Sequence, residues 1–570
     1  MLDFNLKNMK QINNSLKYIL ITAIVLCFNA CTKLDEKTYD TLSSNNFYNN
    51  KNEIISAVLR PYTHANAWAT SSGQDGWWRP SELSADQLAW PTKGRHGEDG
   101  GKWKRLHYHT WTNDEAGLNN TWVLMYWGIG LCNIPIENIE KRDAAAIGLS
   151  QAEKDQYIAE LKLLRAYHYL KLMDLFGNVP LVTVSPSGPT PTDSYPANAP
   201  RKDVFNFIEK EIKDNIDKAP KLSRSMLGRM SQAGGYAMLV ELYLNAETWT
   251  GTARWDDCIA AADKLISNAA GGLNGTMALD PNITDQFKPT NDQSHETIFS
   301  IAYEFQKANF QPNWTGDFYH FQQNLIYGGS RTGNDGVVLI PGVFTTYKDA
   351  DKRKREWLLE GKMIRFDDHK PVIATGGNEY DGQPLEFVDN IRKNKVAKQN
   401  GTDPEKLPST MSEGEENSGV RFNKYKLGNQ ISGPNGIPAP DPNYNNTDWN
   451  IYRLTWIYFA KAEALMRKNG GTATADAVQL INDCKKRAYS DTDWAANMYT
   501  TANLTLTELL AERGREFIFE GFRREDLIRF GKFSGTSWWD HQPSAKTRDL
   551  FAIPQQQIEL NKKLTQNPGY

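Results

Sequence analysis

Cysteine is scarce: five in 570 residues, widely separated, which excludes a disulfide framework and a cysteine-rich metal cluster. A charge excess is missing too. With 65 basic against 68 acidic residues and a net charge of -3, the chain has no electrostatic footprint for a nucleic acid, whose affinity rests on phosphate neutralisation. The apolar run near the N-terminus falls short of the about 20 residues that a membrane-spanning helix needs. No Walker loop, nucleophile elbow or dinucleotide fingerprint stands at a strand-to-helix junction, and no cofactor is expected. Aromatic residues, by contrast, are plentiful. The chain holds 17 Trp, 24 Tyr and 23 Phe but is only 40% hydrophobic, with a mean hydropathy of -0.60. Rings that carry a large flat face and a polar edge are thus set in a hydrophilic protein, and some are expected at a surface.

The N-terminus has the pattern of a secretory signal. Lys7, Lys10 and Lys17 precede the apolar run Tyr18 to Phe28. The following Phe28-Asn29-Ala30-Cys31 resembles a bacterial lipobox, with a small residue before the cysteine. Residues 1–30 are therefore expected to be a signal peptide and Cys31 the lipid-bearing first residue of the mature protein. Cys132, Cys258 and Cys484 remain. The last two fall on apolar helical stripes, so buried free thiols are expected.

The 3.6-residue period recurs along the chain. Leu161, Leu164, His168, Leu172 and Leu175 form one stripe, ended by Gly177 and Pro180. Tyr236 to Leu244 and Trp255 to Ile266 form a helix, a break and a helix. Leu454 to Leu465 and Val478 to Cys484 repeat that arrangement around Lys468-Asn469-Gly470-Gly471. Small residues such as Ala233, Gly234 and Ala237 suit close helix crossings, and such pairs look like tetratricopeptide units. The expected fold is mostly α: tetratricopeptide-like pairs in a superhelical scaffold, one domain over 31–570, interrupted by loop-rich inserts at about 68–115 and 270–450. Loops of that length need short strands and turns of their own. Sites tend to sit on loops held by a rigid frame.

Several segments together resemble one family. Glu160 to Leu170, with Leu164-Arg165-Ala166, runs on to Asp174-Leu-Phe-Gly-Asn-Val-Pro-Leu181. Gly228-Arg229, Glu296 to Ser300, and Tyr452-Arg453-Leu454 to Ala464 follow. Glu512-Arg513-Gly-Arg515-Glu516-Phe517 to Gly521, Asp526-Leu527 and the terminal Asn567-Pro568-Gly569-Tyr570 complete the order. This resembles the SusD/RagB-like outer-membrane lipoproteins of Bacteroidetes across essentially the whole mature chain. The resemblance implies a lipid-anchored protein at the outer surface of the cell, a glycan site built from the inserts, and no catalysis. It also implies a SusC-like TonB-dependent transporter as partner, capped by this protein as by a lid.

Sugar rings present patches of C–H groups that an aromatic face covers, while amides, carboxylates and guanidinium groups bind the hydroxyls. Trp77, Trp78 and Arg79 in the first insert, and Trp314, Asp317 and Tyr319 in the second, have this composition and are the expected glycan-binding residues. Trp122 and Trp127 lie in a helical stretch and are read as core. The acidic mature chain favours a neutral glycan such as starch, a laminarin-like glucan or a hemicellulose, although Lys102, Lys104 and Arg105 form a basic cluster that would reverse this.

Other readings compete. Glu516 and Glu520 are four residues apart, so on a helix they share a face. They are the one pair suited to a glycoside hydrolase, but Arg513, Arg515, Arg523, Arg524 and Arg529 surround them and favour a structural ion-pair network. His107-Tyr108-His109, read as a strand, would turn both imidazoles to one side; with His96 or Asp99 they make a weak metal candidate, and no metal is expected. Asp441, Asn443, Asn445 and Asp448 lack the glycine and terminal glutamate of a calcium loop. A further alternative is an interaction scaffold whose aromatics are all buried.

Overall fold

The computed structural model describes residues 47–70, 75–94, 96–185, 194–304, 318–327, 332–375, 381–392, 409–425, 431–432, 438–439 and 447–570. Cys31, Trp314, Asp317, Asp441, Asn443 and Asn445 lie outside them.

Leaving aside four short helices of four to six residues, the helices in chain order are α1 (Lys51–Ala69), α2 (Trp78–Leu83), α3 (Lys102–His107), α4 (Ala116–Glu140) and α5 (Gln151–Phe176). They continue with α6 (Arg201–Asn215), α7 (Gln232–Leu244), α8 (Ala246–Thr250) and α9 (Trp255–Ile266). After the second insert come α10 (Leu454–Lys468), α11 (Ala475–Lys486), α12 (Leu506–Phe517) and α13 (Arg523–Arg529). The expected stripes are all helices, and their ends follow local chemistry. Ser150 and Glu153 form a capping box that satisfies the first N–H groups of α5. Gly177, at a φ of 72°, stops it.

Packing runs pairwise: α4 on α5, α5 on α6, α7 on α9, α9 on α10 and α10 on α11. The α4–α5 approach is close because Gly128 faces His168; a Cβ there would lie 2.1 Å from the imidazole Nε2. Cys132, Cys258 and Cys484 are buried free thiols. The fold is thus mostly α and tetratricopeptide-like, with few short strands. Among the described residues no helix is long and apolar enough to cross a membrane.

The second insert is clamped at its neck. Thr297–Ile301 near its start pairs antiparallel with Trp449–Arg453 at its end, both strands wholly buried. In the first insert, Leu88–Ala89 pairs with Val338–Leu339 of the second. The inserts are therefore joined to each other, and Tyr48–Tyr570 is one compact unit. Trp68 belongs to α1 rather than to the insert.

Candidate functional site

Trp77 and Trp78 do not present open faces: each is 1% exposed. The Trp78 indole N–H donates to the Phe519 carbonyl at 2.8 Å, and its ring meets the edge of Phe318 at 5.0 Å. The Lys171 ammonium lies 4.2 Å from the centroid of Trp77, and Phe522 packs edge-on at 5.9 Å. Gly521, at a φ of 91°, leaves room for the Trp77 ring, since a Cβ there would lie 2.5 Å from it. Tyr319 is 3% exposed and packs on Tyr327. The expectation of exposed platforms at Trp77, Trp78 and Tyr319 is corrected: the two indoles meet Phe522, Phe318 and the Phe519 carbonyl from segments far away in sequence, and Tyr319 packs on Tyr327 eight residues on. Trp122 is core as expected, but Trp127 is 55% exposed.

Arg79 is the expected site residue that borders a cleft. Its guanidinium lies 5.4 Å from the Trp103 ring and 5.7 Å from Trp90, and these indoles stack at 4.6 Å with 6° between planes. With Asp75, Lys102, Trp103 and Glu115 it lines a recess of about 40 Å³. Asp75 accepts a 2.9 Å hydrogen bond from Asn120, and the Trp103 N–H donates to Asp99. The Lys102 ammonium covers the Trp103 ring at 4.3 Å. The basic cluster is largely neutralised: Lys104 pairs with Glu98 at 2.7 Å and Arg105 with Glu115. Sequence reasoning missed Asp75, Trp103 and Glu115 as neighbours of Arg79. The available signal was that Trp103 stands between Lys102 and Lys104, but no period in this insert says which faces converge.

Glu516 and Glu520 do not share a helix face. The helix α12 ends at Phe517, and Phe519 turns the chain at a φ of 70°. Arg453 joins the two carboxylates nonetheless, reaching Glu516 at 3.0 Å and Glu520 at 2.8 Å. Arg353 also holds Glu516 at 2.9 Å, and Lys424 holds Glu520 at 2.6 Å. Burial alone would raise the Glu520 carboxyl; Arg453 and Lys424 outweigh it and hold it below the usual range. A general acid needs the opposite shift.

The His107–His109 segment is not a strand. His107 ends α3 and His109 has a φ of 54°. His107 pairs with Asp540 at 2.7 Å, while His109 bonds the Ser84 carbonyl and the Ser544 hydroxyl, each at 2.8 Å. Burial pulls the His109 imidazole down to about 3, so it is neutral. Among the described residues, no group of three or more His, Cys, Asp or Glu is placed to hold a metal.

Paired helices with clamped, loop-rich inserts are the fold of a tetratricopeptide-like scaffold protein. Residues 282–570 match the model of the SusD family, and residues 34–244 match one described as "Starch-binding associating with outer membrane". The chain belongs to the SusD family. It is 24% identical over 534 residues to the starch-binding protein SusD of Bacteroides thetaiotaomicron, covering 87% of this chain and 86% of that one. SusD-like protein P2 of Formosa agariphila is 22% identical over 97% of this chain and all of its own length. Among solved structures, a SusD superfamily protein of Parabacteroides distasonis aligns with a TM-score of 0.67 at 16% identity, covering 93% of this chain and 100% of that one. Surface glycan-binding protein A of B. thetaiotaomicron in complex with laminarihexaose aligns at 0.65 and 20%, covering 91% and 99%. These structural likenesses concern the fold.

Proposed function

We propose that the protein is a lipid-anchored glycan-binding protein of the outer cell surface. It captures an oligosaccharide or polysaccharide and hands it to a SusC-like TonB-dependent transporter, breaking no bond. The observation that carries this reading is the recess at Arg79, where Asp75, Lys102 and Glu115 surround one edge of the largely buried Trp103. Family membership and the starch- and laminarin-related names of its relatives support it. A recess of about 40 Å³ receives the edge of a sugar rather than a whole ring, so the cargo lies across the surface and weak affinity per chain suits release. The neutralised basic cluster favours a neutral glycan: starch, a laminarin-like glucan or a hemicellulose. Trp314 and Asp317 remain proposed contributors, with the anchor at Cys31 and one domain from 31 to 570.

The test is native affinity electrophoresis across a panel of neutral polysaccharides. Retention by at least one, lost in the Asp75→Ala/Lys102→Ala double variant, is the expected result; retention unchanged by that variant overturns the assignment of the site. Release of reducing sugar that disappears in Glu516→Gln would overturn the non-catalytic reading.

One observation favours a second reading, an interaction scaffold. Among the described residues the only tryptophan more than one-third exposed is Trp127, on α4, and the exposed Val123 and Ile134 lie along the same helix face. In that reading this face meets the transporter and glycan contact is left to the partner. No retention on any polysaccharide, together with co-purification of the transporter that is lost in Trp127→Asp, would establish it.

A further inference from the structure

A cavity of about 370 Å³ opens among the C-terminal helices and shares no residue with the recess at Arg79. Ligand pockets usually span about 300–1,000 Å³, so this one suits a monosaccharide-sized guest. Its lining includes Thr346, Lys348, Lys485, Tyr499, Asn503 and Glu508.

Lys485, on α11, is the unusual member. It is 5% exposed, yet its ammonium makes no hydrogen bond among the described residues. The ammonium sits 3.6 Å from the centroid of the Tyr499 ring, and its nearest carboxylate oxygen, on Glu512, is 3.7 Å away. Glu512 is already engaged: it accepts from Arg353 at 2.7 Å, from Arg515 at 2.6 Å and from the Tyr499 hydroxyl at 2.9 Å. Glu508 accepts from Arg515 at 2.6 Å and shares the single Tyr499 hydroxyl proton with Glu512, its oxygen lying 2.6 Å from that hydroxyl. The ammonium borders the cavity with no hydrogen bond to the described residues, so an acceptor arriving there gains a charge-assisted bond. Lys348 adds a second, exposed ammonium, tethered only to Asn497 at 2.9 Å.

We infer that this pocket binds a hexuronate, a sugar whose carboxylate meets Lys485 and whose hydroxyls meet Asn503, Thr346 and Lys348. A neutral sugar would add no charge to the one carboxylate contact that the ammonium already has, Glu512 at 3.7 Å. A bare dianion such as phosphate would fill only part of the cavity and leave Asn503 and Thr346 unused, although Lys348, Lys485 and Arg515 offset the carboxylates of Glu508 and Glu512. The hexuronate monoanion, rich in hydroxyls, satisfies both constraints. The inference is independent of the recess at Arg79.

The experiment is titration of the full protein with glucuronate, galacturonate, glucose and inorganic sulfate by calorimetry, for the wild type, Lys485→Met and Lys348→Met. Binding of a uronate is expected, with glucose and sulfate inert. Affinity should fall about tenfold or more in Lys485→Met, the loss of one charge-assisted hydrogen bond, and severalfold in Lys348→Met. The melting temperature is measured alongside; if Lys485→Met unfolds, Lys348→Met decides. Uronate affinity unchanged in both variants, equal binding of glucose, or no binding at all overturns the inference. The Asp75→Ala/Lys102→Ala variant should keep uronate binding, and Lys485→Met should keep polysaccharide retention, so the two sites fail separately.

Discussion

Arg453 and Glu520 form a two-pronged ion pair in the interior, Nε to Oε2 at 2.8 Å and Nη2 to Oε1 at 2.8 Å. The arginine ends the strand that closes the second insert, and the glutamate lies beyond α12, so this pair ties the neck of the insert to the C-terminal helices. Removing one partner of a buried ion pair typically costs about 3–5 kcal/mol, because the remaining charge is left uncompensated. Glu520→Gln should lose about that much in urea unfolding. A loss below about 0.5 kcal/mol, the level of a neutral surface change, would show that Glu516 suffices for Arg453 and the Glu516 and Ile518 carbonyls for Lys424.

Trp78→Ala should behave as a core deletion, losing about 3–5 kcal/mol. Trp127→Ala should stay within about 0.5 kcal/mol of the wild type. Thermal or urea unfolding of both variants checks the contrast, and equal stabilities would contradict the burial of Trp78.

Gly128→Ala places a methyl group 2.1 Å from the His168 ring. Overpacking of this kind costs about 1–3 kcal/mol, although alanine is the better helix former by about 1 kcal/mol. Net destabilisation is expected, with His168→Ala in the same background restoring part of it. A gain of stability in the single variant would mean that α4 and α5 separate easily.

Glu82 is buried, and burial pushes its carboxyl up to about 8 despite the hydrogen bond from the Gly521 N–H. The folded protein keeps a proton that the unfolded chain releases above about 4.5. The contribution of Glu82 to stability is therefore complete below that pH and is lost as pH rises through about 8. Glu82→Gln lacks this loss. Its melting temperature relative to wild type should climb from about pH 5 to about pH 9, and a difference independent of pH would refute the shift.

Much of the helical scaffold was legible because amphipathic periodicity is a local property. The stripes at Leu161–Leu175 and Tyr236–Leu244 had to bury one face whatever their neighbours, and Gly177 marks a left-handed stop that few other residues accept. The site was less legible. Trp77, Trp78 and Tyr319 sit in segments without a period, so nothing local says which way a ring points. The partners of the two indoles, Phe519 and Phe522, come from another segment, and Tyr319 meets Tyr327 in an insert that has no helical or strand period to bring them together. Glu516 and Glu520 were misplaced on one helix face because the turn at Phe519 is held by tertiary contacts rather than by a glycine or proline.

By itself, then, the sequence determined the helix pairs, the buried thiols, the two inserts and, through motifs in a fixed order, the family. The tertiary structure decided which aromatics became core and which carboxylates became ion pairs. It also decided that Arg79 shares a recess with Asp75 and Trp103, and that Lys485 borders a cavity with its donors unspent. The physical reason is range: helix period and capping act over a few residues, whereas burial and charge pairing depend on segments hundreds of residues apart meeting in one place.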